Sequence, residues 1–108
     1  MQVIEEKISE KEFNDLIEEG FVLVDFYANW CMPCQLLSPL IDRISKDTEL
    51  EKVKFIKINI ENNPELARKF KVMSIPNVIL FKNGQELDRF IGFMPEAKIK
   101  EWLLKRVK

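Results

Sequence analysis

The run Phe21-Val22-Leu23-Val24-Asp25-Phe26-Tyr27 constrains the fold of this chain more than any other segment. It is apolar and β-rich throughout, except at Asp25. A strand with no polar side cannot lie against water, so it belongs at the centre of a sheet covered on both faces. Helices must supply that cover, and the flanking sequence offers them. Ser9 and Glu12 have capping-box spacing ahead of Phe13, Leu16 and Ile17, predicting a helix over Lys11 to Glu19 with Gly20 as its stop. After the strand, Leu36, Leu37, Leu40, Ile41 and Ile44 form an apolar stripe on a second predicted helix that opens at the cysteines.

The same logic continues along the chain. Val53 to Ile60 reads as a second buried strand. Asn62-Asn63-Pro64 predicts a helix start, with a cap and a first-turn proline, running to Phe70. Asn77 to Lys82 and Gln85 to Ile91 flank Asn83-Gly84, a hairpin signature. Pro95 can open a last helix with Ile99, Trp102 and Leu103 facing the core, and Val3-Ile4 can add a short first strand. Parallel strands joined by crossovers, plus a hairpin, give an α/β fold with a mixed sheet and helices on both faces.

Cys31 and Cys34 are the only cysteines, and they are two residues apart. A ring this short restrains little of the unfolded chain, so it is a poor structural staple and better suited to opening and closing. Cys31 falls where a strand gives way to a helix, beside unpaired N–H groups and the positive end of the helix dipole, which favour a thiolate. Pro33 fits the first turn without loss of a hydrogen bond. Position alone makes Cys31 the outer, exposed nucleophile and Cys34, one turn in, the resolving sulfur. Metal binding is the competing use, but structural zinc wants four ligands, and this chain has two cysteines and no histidine. The missing histidine also excludes Cys-His and Ser-His-Asp catalysis.

Asp25 is costly inside an apolar strand unless it is partnered or functional. Burial would raise its pKa and make it a proton acceptor for Cys34 near neutral pH. Lys57, in Phe55-Ile56-Lys57-Ile58, is the expected cationic neighbour on an adjacent strand. The alternative is that both simply face solvent at strand ends.

Composition narrows the rest. With 108 residues the chain has the length of one domain, residues 1–108, able to bury roughly two-thirds of its unfolded surface. Its 46% hydrophobic content and eight phenylalanines can fill a core without staples. A net charge of −1 leaves no basic excess for a nucleic-acid partner. Lys98, Lys100, Lys105, Arg106 and Lys108 are interrupted by Glu101 and read as a solvated helix face. The longest apolar region, Phe21 to Trp30, is too short to span a bilayer, and the N-terminus lacks an export signal. A reducing, cytoplasmic setting is therefore expected.

Several separated motifs, in order from about Phe13 to Leu103, resemble the thioredoxin family. Val24 to Cys34 is similar to its strand and active-site loop, and Pro39 to the proline inside its active-site helix. Lys57-Ile58-Asn59-Ile60-Glu61-Asn62-Asn63-Pro64 is similar to the next strand and helix start. Ile75-Pro76 resembles the cis-proline loop, Phe81-Lys82-Asn83-Gly84 the hairpin turn, and Gly92 the glycine beside the target groove. The resemblance implies a three-layer α/β/α fold with about five strands and four helices. It implies attack by Cys31 on a target disulfide and release by Cys34, on a surface formed by Trp30, Met32, Pro33, Ile75, Pro76, Gly92 and Phe93. It further implies disulfide-containing protein targets and a thioredoxin reductase drawing on NADPH. No cofactor bound to this chain, no membrane partner and a monomeric state complete the expectation.

Three positions depart from the family pattern. Met32 replaces the usual Gly between the cysteines, Asn77 the usual Thr after the cis-proline, and Phe93 enlarges the groove edge. The dipeptide between the cysteines tunes reduction potential, so Met32 leaves an oxidase or isomerase open beside a reductant, and a non-redox binding module as a third reading. Absence of histidine and retention of Pro33 favour the reductant. Met32 and Phe93 offer an adaptable apolar contact, or Met32 merely shields the disulfide. Met73 reads as core packing.

Overall fold

A computed structural model describes residues 1–108. Strand β1 (Gln2–Ile4) is followed by α1 (Glu10–Ile17), β2 (Phe21–Tyr27), α2 (Met32–Ser45), a 3-10 turn (Thr48–Leu50) and β3 (Val53–Asn59). Helix α3 (Pro64–Lys69), strands β4 (Asn77–Lys82) and β5 (Gln85–Ile91), and α4 (Glu96–Val107) complete the chain. The five strands form one mixed sheet in the order β1-β3-β2-β4-β5. β3 runs parallel to both β1 and β2, while β4 is antiparallel to β2 and β5.

β2 is the central strand, and Val22 to Tyr27 are all buried. Alternation along the strand divides its side chains between two cores. Leu23 joins Leu37, Ile41 and Ile44 of α2 and Ile99, Leu103 and Val107 of α4. Val22, Val24 and Phe26 join Phe13 and Ile17 of α1 and Leu66 of α3. The second core contains an aromatic cluster in which Phe13 lies 5.1 Å from Phe70 and 5.8 Å from Phe81, ring centroid to centroid. Tilted and edge-on rings at such spacing add to the benefit of area burial.

Local signals explain the boundaries. Ser9 caps α1 as a capping box: its Oγ accepts from Glu12 N (3.0 Å), and Glu12 Oε1 accepts from Ser9 N (2.9 Å). The helix closes at Ile17, two residues short of the expected Glu19, and Gly20 at φ +69° turns the chain into β2. Asn83 and Gly84 both have positive φ, the tight hairpin turn expected of Asn-Gly. That turn is braced to the α1–β2 junction: Gly20 N donates to Asn83 Oδ1 (2.8 Å), and Asn83 N donates to Gly20 O (2.9 Å).

Four expectations need correction. Leu36, counted in the apolar stripe of α2, is 57% exposed, because Leu37, Ile41 and Ile44 already fill the face toward the sheet. Met73 is not core packing: the chain leaves α3 through Lys71 at φ +56°, and Met73 stands 90% exposed in the loop that follows. Strand β3 stops at Asn59, one residue before Ile60. Asn63 precedes Pro64 as expected, yet its side chain makes no cap bond. Buried, it instead accepts from Ile8 N (2.9 Å) and donates to Glu6 O (2.9 Å) and Asn59 O (3.0 Å), joining the β1–α1 loop to the β3–α3 turn.

That bracing makes Asn63 a stability residue. Replacing Asn63 with Ala strands one donor and two acceptors, and stability should fall by about 3 kcal/mol. The exposed neighbour Asn62, which donates to Glu5 O, should cost under about 1 kcal/mol on the same substitution. Urea unfolding of the two variants checks the difference, and equal losses would rule out a special role for Asn63.

Candidate active site

The sheet topology gathers three loops at one end. β2 ends at Tyr27, where antiparallel β4 begins: Phe26 pairs with Asn77. Asn77 pairs in turn with Ile91, the last residue of β5. The loops 28–31, 71–76 and 92–95 therefore share one edge of the sheet, and the cysteines, Pro76 and Phe93 meet there.

Cys31 is the N-cap residue of α2, with extended backbone at φ −87° and ψ 108°. Its Sγ accepts from Cys34 N at 3.3 Å, and its carbonyl accepts from Gln35 N at 3.1 Å. Its own N–H donates to Ala28 O at 3.2 Å, closing the loop that leaves β2. Gln35 Nε2 braces the same loop by donating to Asn29 O at 2.6 Å. Cys31 and Cys34 are joined as a disulfide with Cα atoms 5.2 Å apart. Pro33 lies in the first turn, and Pro39 is carried within a helix that continues to Ser45.

Cys31 was expected to be exposed. It is the outer sulfur-bearing residue, but only 5% accessible against 1% for Cys34. Tyr27 and Ala28 share a buried cluster with the pair, and Ile75 packs against it. The rim of the site is apolar: Trp30, Met32, Met73 and Phe93 are all exposed large side chains. Ile75 is half-buried, Pro76 buried, and the peptide between them is cis. Gly92, at φ +88°, donates its N–H to Pro76 O at 2.8 Å and ties two of the loops together. None of the five surface cavities is lined by either cysteine. The cysteines thus lie at an open surface and not within one of these cavities.

Asp25 lies on the Leu23 face of β2, beneath the helix that carries Cys34. It is fully buried, and neither carboxyl oxygen has a hydrogen-bond partner. Desolvation pushes its pKa up to about 7, opposed by the Lys57 ammonium. Lys57 is the direct cross-strand neighbour of Asp25. It is half-buried, with Nζ 4.2 Å from the Tyr27 ring centre. The solvent-facing alternative fails for Asp25, and Lys57 belongs to the same cluster.

Three further residues join that cluster without a sequence expectation: Glu5, Tyr27 and Asn59. Tyr27 OH donates to Glu5 Oε1, and Asn59 Nδ2 donates to Glu5 Oε2 at 3.5 Å. Burial, then the Glu5 partnership, hold the Tyr27 phenol protonated well above its usual range, and the Tyr27 hydrogen bond holds Glu5 below its own. A tyrosine closing a buried strand is the one sequence signal for it, since its hydroxyl needs a partner. No group of three or more potential metal-ligand side chains occurs. No helix is long and apolar enough to cross a membrane.

The raised pKa of Asp25 makes a signed prediction. Below about pH 4 the carboxyl is protonated in both folded and unfolded chains, and the folded state loses nothing. Between about pH 4 and 7 the unfolded chain ionises first, so stability declines through this window and then levels off. The full loss is about 4 kcal/mol at 1.36 kcal/mol per pH unit. Asp25→Asn should therefore match the parent below pH 4 and exceed it by a few kcal/mol above pH 7. Urea unfolding across that range tests this, and parallel curves would refute it.

Comparison with known proteins agrees with this geometry. Residues 4–105 match the family model described as Thioredoxin. Thioredoxin of Staphylococcus aureus is 39% identical over 101 residues, spanning 94% of this chain and 96% of its own. The crystal structure of Malassezia sympodialis thioredoxin superposes with a TM-score of 0.86 at 26% identity, covering 100% of this chain and 96% of the other. A mutant thioredoxin from Halobacterium salinarum gives 0.84 at 27% identity, with 99% and 92% covered. With its disulfide-linked pair at the start of α2, this chain belongs to the thioredoxin family and is a thiol–disulfide oxidoreductase.

Proposed function

We propose that the chain is a reductant of protein disulfides, with Cys31 as nucleophile and Cys34 as resolving thiol. The observation that carries this reading is a disulfide-linked pair at the N-terminus of α2, on the sheet face that also holds a buried, unpartnered carboxyl. In the reduced protein the helix N-terminus favours a Cys31 thiolate, toward which the Cys34 N–H is already directed. The thiolate attacks one sulfur of the target disulfide, forming a Cys31–target bond as the other target sulfur leaves. Cys34 then gives its proton to Asp25 and attacks Cys31 Sγ, and the second target sulfur leaves. Two electrons pass to the target, and the cysteine pair is left as a disulfide.

Asp25 suits the acceptor role because a carboxyl titrating near 7 takes and returns protons at neutral pH. Lys57 tempers the effect of burial and keeps the group from remaining protonated throughout. Trp30, Met32, Pro33, Ile75, Pro76, Gly92 and Phe93 form the surface for an extended target segment, and exposed Met73 extends it. Met32 and Met73 give that surface flexible, polarizable contacts able to fit varied partners. As an electron carrier, the protein is recharged by a thioredoxin reductase using NADPH. It works as a monomer in the reducing cytoplasm, with no cofactor of its own.

Cys34→Ser should trap a mixed disulfide with a protein substrate, visible as a band that reductant dissolves, whereas Cys31→Ser should trap none. The reverse pattern would exchange the two roles. The midpoint potential of the pair should fall near −270 mV, the handiest mark of a reductant, rather than the about −180 to −120 mV of isomerases and oxidants. Equilibration in defined dithiothreitol buffers measures it, and a value in the latter range would reassign the protein to thiol oxidation or isomerisation.

A further inference from the structure

Loop 71–76 joins α3 to β4 and carries Met73, Ile75 and Pro76. Its two flanking residues, Phe70 and Asn77, are bridged by one side chain from a third element. Arg89 of β5 donates from Nη2 to Phe70 O at 2.8 Å and from Nη1 to Asn77 Oδ1 at 3.5 Å. Glu86 holds the guanidinium from the other side, accepting from Nε at 2.8 Å and from Nη2 at 2.7 Å. A planar cation with its donors in a fixed fork can hold these acceptors together, and a lysine ammonium cannot span them.

The Glu86–Arg89 pair depends on an irregularity in the sheet. Residues three apart on a regular strand face opposite sides. Here Leu80 pairs with Asp88 and Phe81 with Glu86, so Leu87 is an extra residue on β5. This bulge returns Glu86 to the face of Arg89, which pairs with Ile79. Asn77 is equally specific. It is fully buried; its Oδ1 receives Arg89, while its Nδ2 has no partner. A half-satisfied buried amide costs stability that an apolar side chain would not. What the amide supplies is a fixed point for Arg89 at the base of the loop.

We propose that Arg89 is a positioning residue that ties the two ends of loop 71–76 together and so fixes where Ile75 and Met73 stand in the target surface. The inference rests on the reading of that loop as target-binding. Arg89 lies on the sheet face opposite Asp25 and touches neither cysteine, so it acts on binding and not on sulfur chemistry.

The test uses insulin as the protein disulfide and oxidised glutathione as a small disulfide that does not need the loop. Arg89→Leu and Arg89→Lys should each raise KM for insulin about tenfold, the scale of a displaced hydrogen-bonding surface. Turnover at saturation, the glutathione reaction and the midpoint potential should stay at parent values. Glu86→Gln, which leaves Arg89 in place without its orienting charge, should raise KM in the same direction by less, and it serves if the Arg89 variants fold poorly. Ile75→Ala separates the two ideas. If it raises KM while the Arg89 and Glu86 variants do not, the loop binds targets without the clamp and the proposal falls alone. If Ile75→Ala also leaves KM unchanged, the target-surface reading falls and takes the proposal with it. A loss of turnover and glutathione activity in step with KM would show a general structural role and equally overturn it.

Discussion

The pairing of β2 with β3 on one side and β4 on the other, under cover on both faces, is the constraint on which the rest depends. It puts a single strand where no water reaches, so any charge on that strand is governed by its protein surroundings. Asp25 is the one charge there. The same placement sets the end of β2 against the start of α2, where Tyr27 and Ala28 pack with the cysteines. A strand at the sheet edge could carry the same residues without making Asp25 a group that titrates near neutrality.

Two opposed electrostatic environments thus occur on the same side of the sheet, one at the N-terminus of α2 and one on β2. At Cys31 the unpaired end of α2 offers positive potential and an N–H already directed at sulfur. At Asp25 desolvation resists negative charge, and only Lys57 relieves it. The helix end favours negative charge, whereas the buried strand disfavours it. Tyr27, with Lys57 over its ring and Glu5 at its hydroxyl, forms the polar border of this arrangement.

Much of this was legible in the sequence because local rules carried it. The Ser9–Glu12 box, the Asn83-Gly84 turn and the apolar run of β2 each act through near neighbours or through a periodicity that one segment displays. Asp25 was legible because a charge in such a run is an anomaly. What escaped depends on contacts between distant segments. Asn63 looked like a helix cap, yet its partners Ile8 and Glu6 lie on a loop more than fifty residues earlier. Met73 looked like core because apolar residues usually are, and only the turn at Lys71 sends it outward. Arg89 gave no signal at all, since a bulge must first bring Glu86 to its side.

The brace between Gly20 and Asn83 divides the sheet into two unlike ends. At the braced end, two turns hold each other through reciprocal hydrogen bonds and leave little room for change. At the other, apolar side chains stand on loops whose positions are set from below. Sequence can drift at that rim without disturbing the frame, and a backbone shared with the Malassezia protein at 26% identity is what such a division permits. The rim can then be repainted residue by residue while the sheet beneath it keeps its register.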